Sequence, residues 1–186
     1  IEVYLRETAR NSARHNEDLA GVGVMFEPNK FQENLSNYAF YVSETDADKD
    51  VLPFGDYETY SNEAYYQMAA TAKQDVVTDP YEYNGVTMVS YASPILYNNE
   101  LKGVVMGDIK VNNFDKVDIT SATFPSLYCT IYNQAGVIIY DSEDKADIGR
   151  AMSEFTPNAS ELAAIQTKMA QGEAFHLVTT REDGRK

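Results

Sequence analysis

The chain has 186 residues, 44% of them hydrophobic, enough for one generous domain or two small ones that need no covalent staples. A net charge of −14 repels phosphate backbones and anionic lipid surfaces, which argues against nucleic acid as a partner and leaves cationic ligands open. The single cysteine, Cys129, excludes an internal disulfide, and no apolar run is long enough to cross a bilayer.

In chain order, residues 1–16 read as a helix with Val3, Leu5, Ala9 and Ala13 among its apolar positions. Glu2, Arg6, Arg10 and Arg14 recur every four residues and read as a solvated stripe. Gly21-Val22-Gly23-Val24-Met25-Phe26 is a buried-strand pattern stopped by Glu27-Pro28-Asn29, and residues 38–42 read as another strand. The acidic run 44–50 follows. Asp46, Asp48 and Asp50 match the opening of a calcium loop, but Val51 stands where glycine is needed and Tyr57 where a bidentate glutamate is needed, so it reads as solvated acid.

Ser61 is the expected cap of a helix over 62–73, with Glu63 in its first turn. Thr78-Asp79-Pro80-Tyr81 reads as a turn, and residues 86–95 and 101–111 as strands joined at Asn98-Asn99. A second unit begins near Ile119, with a hairpin of 127–132 and 137–140 about Asn133-Gln134-Ala135-Gly136. Asn158 and Glu161 form a capping box for a helix through Leu162, Ile165 and Met169 that Gly172 closes. Residues 175–180 read as one more strand. Glu182-Asp183-Gly184 would turn into a further strand that the sequence does not contain, so the second unit is expected to be incomplete. The pattern predicts an α+β fold with antiparallel sheets: a helix over 1–20, a first module over 21–118 and a partial second module over 119–186.

Catalytic chemistry finds little support. A nucleophile needs a nearby base, and the two histidines, His15 and His176, sit on a charged helix end and in a strand pattern. Cys129 lies in an apolar strand and reads as packing. No phosphate loop, nucleophile elbow or zinc helix motif occurs, so neither an enzyme nor a cofactor or metal is expected.

Three features occur together between Tyr57 and Asp108: a helix with Tyr65-Tyr66, the turn at Thr78-Asp79-Pro80-Tyr81, and a strand Gly103-Val104-Val105-Met106-Gly107-Asp108-Ile109. With Ser93-Pro94-Ile95 between them and the strand at Gly21–Phe26 before them, this segment resembles the membrane-distal module of a double-Cache (PAS-like) sensor domain. The stretch around Tyr132–Ser142 is similar to the membrane-proximal module. The resemblance implies an extracytoplasmic, membrane-anchored domain of a chemoreceptor, histidine kinase or cyclic-dinucleotide enzyme. Its anchoring helices would lie outside these residues, and parallel packing of the first helix would give a homodimer.

It also implies a ligand site for a small molecule. Amino-acid-binding members hold the ammonium with tyrosines and an aspartate, and the carboxylate with an arginine two residues before a tryptophan–tyrosine pair. Position by position, Tyr66 stands for the pair's tyrosine, Tyr65 replaces the tryptophan, Tyr81 matches the turn tyrosine and Asp108 the ammonium-binding aspartate. Glu63 occupies the arginine position, and Tyr83 a further acidic position. The amine half is thus present and the carboxylate half charge-inverted, which points to a small amine or other organic cation. The alternatives are an amino-acid or carboxylate sensor, or a surface structural or adhesion module without a small ligand.

Overall fold

The structure is a computed structural model that describes residues 1–49, 52–124, 127–172 and 174–178. The chain divides into two units, Ile1–Asn113 and Phe114–Lys186.

The first unit is built on a seven-stranded antiparallel sheet. Its strands are β1 (Leu19–Phe26), β2 (Ala39–Ser43), β3 (Leu52–Pro53), β4 (Val76–Val77), β5 (Tyr81–Tyr83), β6 (Val86–Tyr97) and β7 (Glu100–Lys110). They run in the order β3-β2-β1-β7-β6-β4, with β5 also paired to β6. The long β6–β7 hairpin turns at Asn98 and Asn99, whose φ angles of 50° and 63° suit asparagine. Asn84 and Gly85 (φ 51° and 76°) make the matching turn between β5 and β6.

Alternation along the strands gives the sheet two buried faces. One carries Val24, Phe26, Phe40 and Val42 and receives Ala9 and Ala13 of the N-terminal helix α1 (Glu2–His15). The other carries Met25, Ala92, Val104 and Met106 under Tyr60, Tyr65, Tyr66 and Ala69. Those four come from two short helices, α2 (Tyr57–Tyr60) and α3 (Ala64–Ala72).

The structure corrects two expectations here. The helix expected over 62–73 forms as α3, but Ser61 does not cap it: Glu63 holds the N-cap position without a side-chain bond. A separate short helix, α2, precedes it and is capped by Asp56, which accepts from the Thr59 amide at 2.9 Å and from its hydroxyl at 2.7 Å. The buried anchors Tyr60 and Tyr66 then fix each helix to the sheet, overriding local propensity. The charged stripe of α1 is not simply solvated. Arg6 lies 5.8 Å from the Tyr38 ring centroid and 5.3 Å from that of Phe40, while Arg14 bonds Asp48 in the acidic loop. That loop is neutralised by the protein's own cations, with Lys49 on Asp46 and Lys110 on Glu44. Among the described residues no acidic cluster could hold a metal ion.

The second unit contains the hairpin of β8 (Thr130–Tyr132) and β9 (Ile138–Asp141), the latter buried along its whole length. Asn133 closes its turn by accepting from the Ala135 and Val137 amides, both at 3.0 Å. Two helices follow, α4 (Met152–Phe155) and α5 (Ala159–Ala170). Asn158 caps α5 through the Ser160 and Glu161 amides, and Gly172 lies past its end with φ 65°. The strand expected over 175–180 is not formed at residues 174–178, because alternation alone supplies no partner for its backbone groups. Thr179 and Thr180, and the turn at 182–184, lie outside the described residues.

Candidate functional site

Asp108 lies on β7 and faces the helix-covered side of the sheet, 4% exposed. Its Oδ1 accepts hydrogen bonds from Ser90 Oγ at 2.7 Å and Tyr81 Oη at 2.9 Å, and its Oδ2 accepts from Tyr41 Oη at 2.7 Å. All three partners are neutral hydroxyls, and among the described residues no lysine or arginine pairs with this carboxylate.

The neighbouring strands explain how these groups meet. Ser90 lies opposite Asp108 in the β6–β7 register, so its hydroxyl reaches across to the carboxylate. The turn before β5 is locked to the same residue. The Thr78 amide donates to the Ser90 carbonyl at 3.0 Å, and the Ser90 amide donates to Thr78 Oγ1 at 2.9 Å. That double tie delivers Tyr81 to Oδ1. On the other side Asp108 pairs with Gly21 of β1. A Cβ at Gly21 would stand 2.1 Å from Tyr41 Oη, so the bare glycine is what lets the tyrosine ring cross β1.

The phenols around Asp108 are pushed well above their ordinary range. For Tyr41 and Tyr81 burial is the largest cause, followed by the Asp108 charge. For Tyr65 burial leads again, followed by the charges of Glu63 and then Asp108. All three remain protonated donors through physiological pH. The Tyr65 hydroxyl is buried and has no hydrogen-bond partner among the described residues.

The six residues singled out in the sequence therefore separate. Tyr81 bonds Asp108 and Tyr65 lies within its electrostatic reach. Glu63 is exposed at the N-terminus of α3, where it makes no capping bond, and its charge is felt at Tyr65. Tyr83 is 62% exposed on β5 and contributes a small upward push to Tyr41. Tyr66 goes elsewhere, its hydroxyl donating to Glu27 Oε1 at 2.8 Å. Adjacent helical residues point about 100° apart, so Tyr65 and Tyr66 cannot serve one atom. Tyr41, Ser90 and Glu27 were not singled out in the sequence. The Gly21-Val22-Gly23 pattern was the available signal for Tyr41, because glycine within a strand marks a close approach.

This architecture, with a helix along one face of an antiparallel sheet and short helices over the other, defines a PAS-like sensor module of the Cache type. Residues 5–116 match the family described as "Methyl-accepting chemotaxis protein-like, first PDC sensor domain", and the chain belongs to that family. No curated protein matches it. Among solved structures it is similar to two extracellular domains of proteins assigned as histidine kinases. To mmHK1S-Z2 it is 23% identical with a TM-score of 0.70, covering 99% of this chain and 73% of that one. To mmHK1S-Z3 it is 28% identical with a TM-score of 0.69, covering 96% and 68%. The ligand-binding domain of the Pseudomonas aeruginosa PAO1 amino-acid chemoreceptor PctB, solved with L-Gln, shares 18% identity and a TM-score of 0.51 over 84% of this chain and 66% of its own. Such relatives are sensor domains of membrane receptors rather than catalysts, and no helix among the described residues is long and apolar enough to cross a membrane.

Proposed function

We propose that the first unit senses a small amine or other organic cation, with Asp108 as the group that receives the positive charge. Anchoring helices beyond this chain would hold the domain on the outer side of a cell membrane, and a second copy could pack along α1. The observation that carries the reading is a carboxylate 4% exposed whose bonded partners are all neutral hydroxyls. Burying an ionised carboxylate is costly unless its charge is compensated. Three hydroxyl donors offset part of that cost, and an ammonium on the remaining lone pair would offset more. Tyr41, Tyr65 and Tyr81 supply aromatic surface around it, each ring able to add roughly 0.5–2 kcal/mol to a cation. Glu63 and Tyr83 would stand toward the outer side of the site. Tyr66 would contribute by holding α3 in place.

Amino acids form the competing ligand class, since PctB is solved with L-Gln. Here, however, Glu63 stands where the family resemblance calls for the arginine that grips a carboxylate, and its charge already reaches Tyr65. A thermal-shift series with simple amines, amino acids and carboxylates separates the two. An amine at 100 times its Kd is expected to stabilise the domain by about 2.7 kcal/mol, and Asp108→Asn should remove that gain. Stabilisation by free amino acids or carboxylates, with none from amines, overturns the reading.

A further inference from the structure

Tyr65 Oη is the informative leftover. It is buried in the core between α3 and the sheet, its residue 8% exposed, and among the described residues it neither donates nor accepts a hydrogen bond. A buried hydroxyl that stays unpaired forfeits its hydration with no return, so native proteins rarely leave one without a reason. The other buried unbonded hydroxyl among the described residues, that of Tyr38, lies against Arg6 and Glu2 of α1, which offer it both a donor and an acceptor. Tyr65 instead packs in the core cluster that holds Met106 of β7 and receives Tyr41, two residues and one hydrogen bond away from Asp108, and the charges felt at its hydroxyl are those of Glu63 and Asp108.

Resting on the amine reading of Asp108, we propose that the ligand carries, besides its ammonium, one uncharged hydrogen-bond acceptor that takes the proton of the Tyr65 hydroxyl. The hydroxyl can donate because burial and its two acidic neighbours keep it protonated. A carboxylate is a poor acceptor at this place, since it would meet the Asp108 and Glu63 charges together. A hydroxyl, ether or amide carbonyl meets no such repulsion. The ligand class is therefore an amino alcohol, an amino ether or an amino amide, and neither a plain alkylamine nor an amino acid. The arrangement also gives selectivity: a site built to bond a polar group discriminates against an analogue lacking it, because its own buried donor is then left unpaired.

The test is isothermal titration calorimetry of the whole chain with two matched series. Amino alcohols from ethanolamine to 5-aminopentanol are compared with alkylamines of the same number of heavy atoms. At one chain length the amino alcohol is expected to bind roughly tenfold tighter than its partner, the worth of one buried hydrogen bond. Tyr65→Phe, checked by circular dichroism for an unchanged fold, should erase that ratio. Equal affinities at every length, or a ratio that survives in Y65F, overturns the proposal while leaving the amine reading in place. Binding by neither series defeats both.

Discussion

Asp108 and Glu27 are both carboxylates held by tyrosines on the same face of one sheet, yet they are built for different ends. Asp108 pairs with Gly21 near the start of β1, and Glu27 follows its last residue, so the two positions stand about 20 Å apart along the strand. Glu27 accepts from Tyr57 and Tyr66, each at 2.8 Å, and Tyr60 donates to the Phe26 carbonyl at 2.7 Å. The three rings pack against one another, with Tyr57 perpendicular to both others at 88°. Every hydroxyl of that cluster is bonded, and its effect is to pin α2 and α3 to the sheet. At Asp108 more donors converge on a more deeply buried carboxylate, and still one hydroxyl, Tyr65, is left over. Both clusters set tyrosine hydroxyls on a carboxylate, and Ser90 adds a third donor at Asp108. On the proposed amine reading, what would distinguish a clamp from a receptor site is unspent hydrogen-bonding capacity beside a carboxylate with no cationic partner.

The comparison can be broken in several ways. Alkaline pH acts on the whole fold. Burial first, then Glu27, pushes Tyr57 and Tyr60 up from 10.0 to about 12. Their folded values lie above the unfolded ones, so the stabilisation is complete below pH 10 and is lost as pH rises from 10 toward 12. Denaturant melts at pH 8 and pH 11, with phenolate absorbance followed alongside, should show a lower midpoint at pH 11. An unchanged midpoint would mean that the phenols are not buried as described.

Asp108→Asn keeps the shape and removes the charge. Amine affinity should fall at least thirtyfold, roughly the cost of removing one partner of a buried charge pair. A fall of less than threefold by calorimetry would make Asp108 a clamp like Glu27. Glu27→Gln is the mirror experiment, expected to cost about 1–3 kcal/mol in denaturant stability while leaving amine affinity within about twofold. Gly21→Ala sharpens the contrast with the smallest effect. The new methyl would displace Tyr41 from Asp108, weakening amine binding by about fivefold, the worth of one hydrogen bond. Unaltered binding in that variant would remove Tyr41 from the site.

Much of the frame was legible because it depends on local chemistry. The asparagines at 98 and 99 tolerate positive φ, Asn158 caps its helix with its own side chain, and the apolar spacing of α1 places Ala9 and Ala13 on one stripe. Asn84-Gly85 carried an equally strong hairpin signal that went unused, and it sets the register that brings Tyr81 opposite Met88. Less was legible where distant residues decide. Glu27 looks like the polar stop of a strand until the tyrosines of α2 and α3, 30 and 39 residues later, close on it. Of the candidate site, Asp108, Tyr65 and Tyr81 could be named from family likeness. Tyr41 and Ser90 could not, because alternation places them on a face without saying which face matters.

One strand, β7, serves both layers of the first unit at once. Asp108 and Met106 point toward α2 and α3, while Val105, one residue further back, packs among the side chains that hold α1. A tug on the carboxylate therefore needs no relay of side chains to be felt behind the sheet. The two sides share a backbone, and the distance a message must travel between them is the thickness of a single peptide ribbon.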